Sequence, residues 1–119
     1  MQLKHIQPVY FSPTHTSAKI VTMIAEGMDI MVNTEIDLTY PSADQKTIPS
    51  DTLAIIGVPT YAGRIAPTAL ERLQKIKGDN TPAIIVVLYG NRDYEDALLE
   101  LRNSVKQLGF FPVAGGAFI

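Results

Sequence analysis

"HIQPVYFSPTHTSAKIV", residues 5 to 21, changes character twice. It opens as an apolar run, passes through a cluster of hydroxyls, and closes on apolar residues spaced for a helix. "HIQPVYF" (5–11) reads as a buried strand, with Pro8 pushing it toward an edge position or a late start. Downstream, Ala18, Val21, Ile24, Ala25 and Met28 form a 3.6-residue stripe and predict a helix. Between the two lie Ser12, Thr14, Thr16 and Ser17, with His15 among them. One hydroxyl is enough to cap a helix. Four at a strand-to-helix turn point to an anion from outside the chain, held by hydroxyls and helix N-terminal amides. The loop is neither a phosphate loop of the G-x-x-x-x-G-K-S/T type nor a dinucleotide G-x-G-x-x-G.

The rest of the chain repeats the strand-then-helix alternation. "NTEIDLT" (33–39) alternates and predicts a second strand. "LAIIGV" (53–58) and "AIIVVLY" (83–89) are nearly continuous apolar runs, suited to strands buried on both faces of a parallel sheet. Pro67 sits at a good first helical position, with Leu70, Leu73 and Ile76 carrying the apolar face onward. In the last helix Asp93 is the predicted cap. Tyr94, Ala97, Leu98, Leu101, Val105 and Leu108 make its stripe, and Gly109 its stop. "FFPVAGGAFI" is then a final strand. Alternation of this kind implies right-handed crossovers and a doubly wound α/β sheet. Two departures stand out. Residues 39–52, "TYPSADQKTIPSDT", hold no helical stripe, so the second crossover is a loop or short irregular turn. The last strand is followed by no helix, so one of its faces is expected bare and the chain to be a piece of a longer one.

Bulk numbers bound the answer. A chain of 119 residues is one domain, 1–119, able to bury roughly 60–70% of its unfolded surface. With 46% hydrophobic residues, 18% charged and a net charge of −2, it shows no basic excess for nucleic acid. It has no cysteine, which excludes disulfides, thiolate metal sites and a thiol nucleophile within these residues. "MQLKHIQPV" lacks a signal-peptide core and no apolar run approaches membrane-spanning length, so a cytoplasmic protein is expected.

In open α/β sheets ligands bind beyond the carboxyl ends of the strands, so three loops matter. The first is 11–17. The second, "GVPTYAGR" (57–64), combines turn residues with Tyr61 and the cation Arg64; the third, "YGNRDYED" (89–96), carries a turn glycine and Tyr94. Two aromatic faces beside an anion loop suit a flat, phosphorylated ring system. At these residues the chain resembles the flavodoxin family. "SPTHTS" is similar to the family's S/T-x-T-G-x-T phosphate loop at Ser12, Thr14 and Ser17, with His15 in place of the usual glycine. "PTYAG" and "YGNRDYEDAL" look like its two ring-flanking loops, and the likeness runs in order from His5 to Val113.

The resemblance implies a five-stranded parallel sheet in the order 2-1-3-4-5, with an abbreviated second crossover and no last helix. It implies non-covalent FMN and electron transfer. Ser12, Thr14, His15, Thr16 and Ser17 would lie at the phosphate, with Tyr61 and Tyr94 flanking the ring. Backbone groups of Pro59, Thr60, Ala62, Gly63 and Arg64, and of Tyr89, Gly90 and Asn91, would reach the ring edge. The Ala62–Gly63 peptide would be free to reorient, because glycine tolerates positive φ. Arg64 and Arg92 would put cations near the flavin unless they are merely solvated loop charges. A subset of the family joins such a domain to a C-terminal ferredoxin-like iron–sulfur module, which makes that module, or a separate redox protein, the expected partner. Self-association through the exposed last strand is a further expectation. A receiver domain needs acidic residues where this chain has "FSPT" and "GVPT", and is excluded. An FMN-dependent reductase acting with NAD(P)H and quinones, and a flavin-free docking module, remain as alternatives.

Overall fold

A computed structural model describes residues 2–61, 63–89 and 94–118, with the backbone alone for Tyr94 and Glu95. Its elements run in chain order as β1 (His5–Tyr10), α1 (Thr16–Glu26), β2 (Met31–Val32), β3 (Ile36–Asp37), β4 (Lys46–Ile48) and β5 (Thr52–Tyr61). They continue as β6 (Arg64–Ile65), α2 (Pro67–Leu73), β7 (Ile76–Gly78), β8 (Thr81–Leu88), α3 (Tyr94–Gln107) and β9 (Phe110–Phe118). The main sheet has the parallel order β2-β1-β5-β8-β9, which is the expected 2-1-3-4-5. Two short strands are added to it: β3 continues the line of β2 along β1, and β6 turns back antiparallel on β5.

The apolar runs alternate between two cores. Val9, Ile56 and Ile85 lie in one register and pack toward α2 and α3 with Leu73, Leu101 and Val105. Ile6, Tyr10 and Ile55 point the other way, toward Val21 and Ala25 of α1. That is why 53–58 and 83–88 read as unbroken apolar stretches: both faces are dry.

Three expectations need correction. β1 is central, not an edge, although it contains Pro8. The carbonyls of Ile6 and Tyr10 accept the N–H groups of Asn33 and Leu38, so Pro8 faces the gap between β2 and β3. There the Gln7 amide donates to the carbonyls of both Pro8 and Thr34, at 3.0 and 2.9 Å. The predicted strand 33–39 is accordingly two pieces, 31–32 and 36–37. Ile76 belongs to no helix: α2 stops at Leu73, and Ile76 is buried in β7.

The second crossover is non-helical as expected, but it contributes β4, which pairs parallel with β7 as a separate two-stranded sheet. β7 also packs tightly on the turn after α3. Gly109, at φ 101°, ends that helix, and a Cβ on it would lie 2.3 Å from the Gly78 carbonyl oxygen. At the far edge β9 pairs with β8 through a register shift between Ala83 and Ile84. Val113 is 55% and Phe118 38% exposed, so the bare outer surface foreseen on this strand is present.

Candidate functional site

The chain reverses direction across the sheet between β1 and β5, and their carboxyl ends meet at one edge, with Tyr10 opposite Gly57. Crevices at such switch points are where open α/β sheets place ligands. The first loop fills one side. His15 adopts φ 67°, the left-handed region, at the N-cap of α1, where it makes no side-chain cap. That is the conformation a glycine would hold without strain, and histidine tolerates it better than a branched residue does. The cap hydroxyl comes instead from Ser12, whose Oγ accepts the Ala18 N–H at 2.9 Å. The His15 N–H donates to the Ser12 carbonyl and closes the turn. Among the described residues, the N–H groups of Thr14, Thr16 and Ser17 meet no acceptor. Thr14 and Thr16 are exposed and join hydroxyl to hydroxyl at 3.4 Å, while Ser17 is buried against the core. Open amides and hydroxyls at a helix start can receive an anion.

Beneath the loop, Tyr10 closes β1 within the α1-side core; burial first, then the charges of Asp37 and Glu35, push its phenol up.

On the other side, β5 runs past its neighbours to Tyr61 and returns through Gly63, at φ 81°, into β6. Tyr61 is 63% exposed. Pro59 accepts the Ala66 N–H through its carbonyl, and the Thr60 hydroxyl donates to the Leu88 carbonyl, tying β5 to the end of β8. Arg64 is not a free cation beside this hairpin. Its Nε and Nη2 donate to the two Glu100 carboxylate oxygens at 3.2 and 2.9 Å, and the Ile65 N–H adds a third bond to Glu100. These bonds hold the Glu100 carboxyl below its ordinary range, Arg64 contributing most.

Of the third loop, Tyr89 is described: its N–H donates to the Phe118 carbonyl. Ala62, Gly90 and Asn91, together with Arg92 and Asp93, the predicted cap, lie outside the described residues. So does the side chain of Tyr94.

Three participants had no signal in the sequence. Thr39 Oγ1 accepts the Ser12 N–H at 2.7 Å. Arg72 on α2 donates to the carbonyls of Leu38 and Thr39 and lies 5.7 Å from the centre of the Phe11 ring. Glu100 holds the Tyr61 hairpin from the polar side of α3.

No protein-family model and no curated protein matches this chain. Solved structures do. A flavodoxin from the domain Archaea aligns over 95% of this chain and 82% of its own, at 12% identity and a TM-score of 0.59. The fold is flavodoxin-like. A chain described as a "putative flavoprotein" from Bacteroides uniformis ATCC 8492 aligns over 98% of this flavodoxin-like domain and 90% of itself, at 15% identity and a TM-score of 0.68. The metal-soaked Flv1 flavodiiron core from Synechocystis sp. PCC6803 gives 18% identity and a TM-score of 0.64. The match covers 99% of this chain and 31% of that one. Among the described residues, no helix is long and apolar enough to cross a membrane.

Proposed function

We propose that this is an FMN-binding electron-transfer domain. The observation that carries the reading is the left-handed His15 at a helix start whose nearest amides are open. Thr14, Thr16 and Ser17 would hold the terminal phosphate by hydroxyl and backbone N–H. Ser12 would stay off it, because its Oγ is committed to Ala18. Tyr61 offers an exposed ring across the crevice, and Arg64 steadies its hairpin through Glu100. Bound FMN supplies the one- and two-electron chemistry, while the chain binds and orients it. The domain would work in the cytoplasm beside a separate redox protein or a ferredoxin-like iron–sulfur module. Likeness to part of a longer flavodiiron core supports use of this fold as one module of a redox protein.

Calorimetry with FMN, riboflavin and FAD tests the reading. FMN should bind tightest, since the loop suits a terminal phosphate and lacks the pyrophosphate glycines. Riboflavin binding as tightly as FMN would remove the phosphate-loop assignment. A protein that takes up no flavin would be a docking module.

A further inference from the structure

We infer that Arg72 and Thr39 are positioning residues for the first loop, acting in series. The second crossover carries no helix of its own; the turn that follows β3 buries Leu38 in the core beside Ala69 and Leu73 of α2. One guanidinium from the same helix holds its backbone. Arg72 Nη1 donates to the Leu38 carbonyl at 2.9 Å and also to the Thr39 carbonyl. The turn is closed from within by the Thr39 N–H, which donates to Asp37 Oδ1 at 2.9 Å.

From there the hold passes to the loop through three consecutive residues. The Tyr10 carbonyl accepts the Leu38 N–H at 2.7 Å, the Phe11 ring lies under the Arg72 guanidinium, and the Ser12 N–H donates to Thr39 Oγ1. Ser12 then fixes the first turn of α1 through Ala18. Arg72 is half-buried, and among the described residues no carboxylate lies within ion-pair distance of it. A planar guanidinium can face an aromatic ring while its N–H groups serve carbonyls at its edge, which a lysine ammonium does less well. The link spans 33 residues of sequence between Thr39 and Arg72, and 27 between Ser12 and Thr39. Losing either member should let the loop amides drift from the geometry that receives an anion.

This inference rests on the FMN reading, and its test separates the two. FMN and riboflavin affinities would be measured for the whole chain and for Arg72→Met, Thr39→Ala and Thr39→Ser. Hydrogen exchange of the Ser12 amide would be followed in the flavin-free protein. Arg72→Met keeps the stem over Phe11 and removes the donors. FMN affinity should fall about tenfold in Arg72→Met and Thr39→Ala, the size of one lost hydrogen bond to a charged group. Riboflavin affinity should stay within about twofold, and Thr39→Ser should recover most of the loss while restoring Ser12 protection. A general packing defect would weaken both ligands alike, and that outcome overturns the inference. So does wild-type FMN preference persisting in Arg72→Met and Thr39→Ala. A wild-type chain with no preference for FMN over riboflavin would overturn this inference and the functional reading together.

Discussion

Gly57 leaves no room for a side chain beside Val21: a Cβ on Gly57 would lie 2.4 Å from Val21 Cγ2. This contact sets α1 directly on β5, and the first loop leads into α1. Gly57→Ala should therefore destabilise the fold by about 1–3 kcal/mol through overpacking. It should also weaken FMN, because the helix start shifts. Urea unfolding measures the first effect, and Val21→Ala in the same chain should relieve it. No relief would mean that the strain lies elsewhere.

His15 at φ 67° carries a side chain where glycine would be unstrained. Left-handed backbone costs an ordinary L-residue about 1–2 kcal/mol, and glycine loses part of that gain through its freer unfolded chain. His15→Gly should be stabilising by up to about 1 kcal/mol and leave FMN bound, whereas His15→Val should be destabilising by about 1 kcal/mol or more. Thermal melts of the two variants check this. A destabilised glycine variant would show that the imidazole makes a contact worth keeping.

Thr14→Ala and Ser17→Ala should each weaken FMN by about 1 kcal/mol or more and leave riboflavin unchanged. Tyr61→Ala should weaken both flavins and raise the two-electron potential, since an electron-rich ring disfavours the reduced anion. Calorimetry and a reductive titration separate the two patterns. If Tyr61→Ala binds FMN with an unchanged potential, Tyr61 is a surface residue of the hairpin and nothing more.

The Arg64–Glu100 pair makes the hairpin pH-sensitive in one direction. Bonds from Arg64 lower the Glu100 carboxyl, followed by the Ile65 N–H, with partial burial opposing them. A carboxyl depressed in the folded state stabilises fully above its unfolded value, and the contribution fades as pH falls through the folded one. Arg64 is itself raised, by Glu100 first and to a lesser degree by Asp96, so it stays charged across that window. Among the described residues, Asp96 is the other charged group lining the groove around the pair. Protection of the Ile65 amide, relative to the intrinsic exchange rate at each pH, should thus fall below the ordinary carboxylate range, and Glu100→Gln should flatten the dependence. Equal pH slopes in wild type and Glu100→Gln would assign the effect to another group.

β9 presents Val113 and Phe118 to solvent and, among the described residues, pairs on one side only. Its sequence holds no charged residue to discourage edge pairing, although Pro112 and the bulge blunt it. The chain should self-associate at high concentration, and Val113→Lys should shift it toward monomer. Sedimentation across a concentration series reads this directly; a wild-type chain that stays monomeric throughout would show that the bulge protects the edge.

The strands and the hydroxyl-rich turn after the first of them were legible in the sequence because each is written in neighbouring residues, while the order 2-1-3-4-5 came from the resemblance to flavodoxins. Runs such as 53–58 declare a strand dry on both faces, and 12–17 bring their hydroxyls together by adjacency alone. Even the helix-free second crossover could be read, from the two prolines and missing stripe of 39–52. Pro8 was misleading for a physical reason. Its cost to a central strand depends on what faces its missing N–H, and here that is a gap bridged by the Gln7 amide. Tertiary structure alone decided the other links: β4 on β7, Thr39 on Ser12, Arg72 on the turn after β3, and Glu100 on the Tyr61 hairpin. Each joins residues far apart in the chain and unremarkable where they stand. A threonine in a loop or a glutamate on the polar face of a helix looks the same in sequence whether it is solvated or bonded. Only the folded path brings a particular donor within reach, and periodicity carries no record of it.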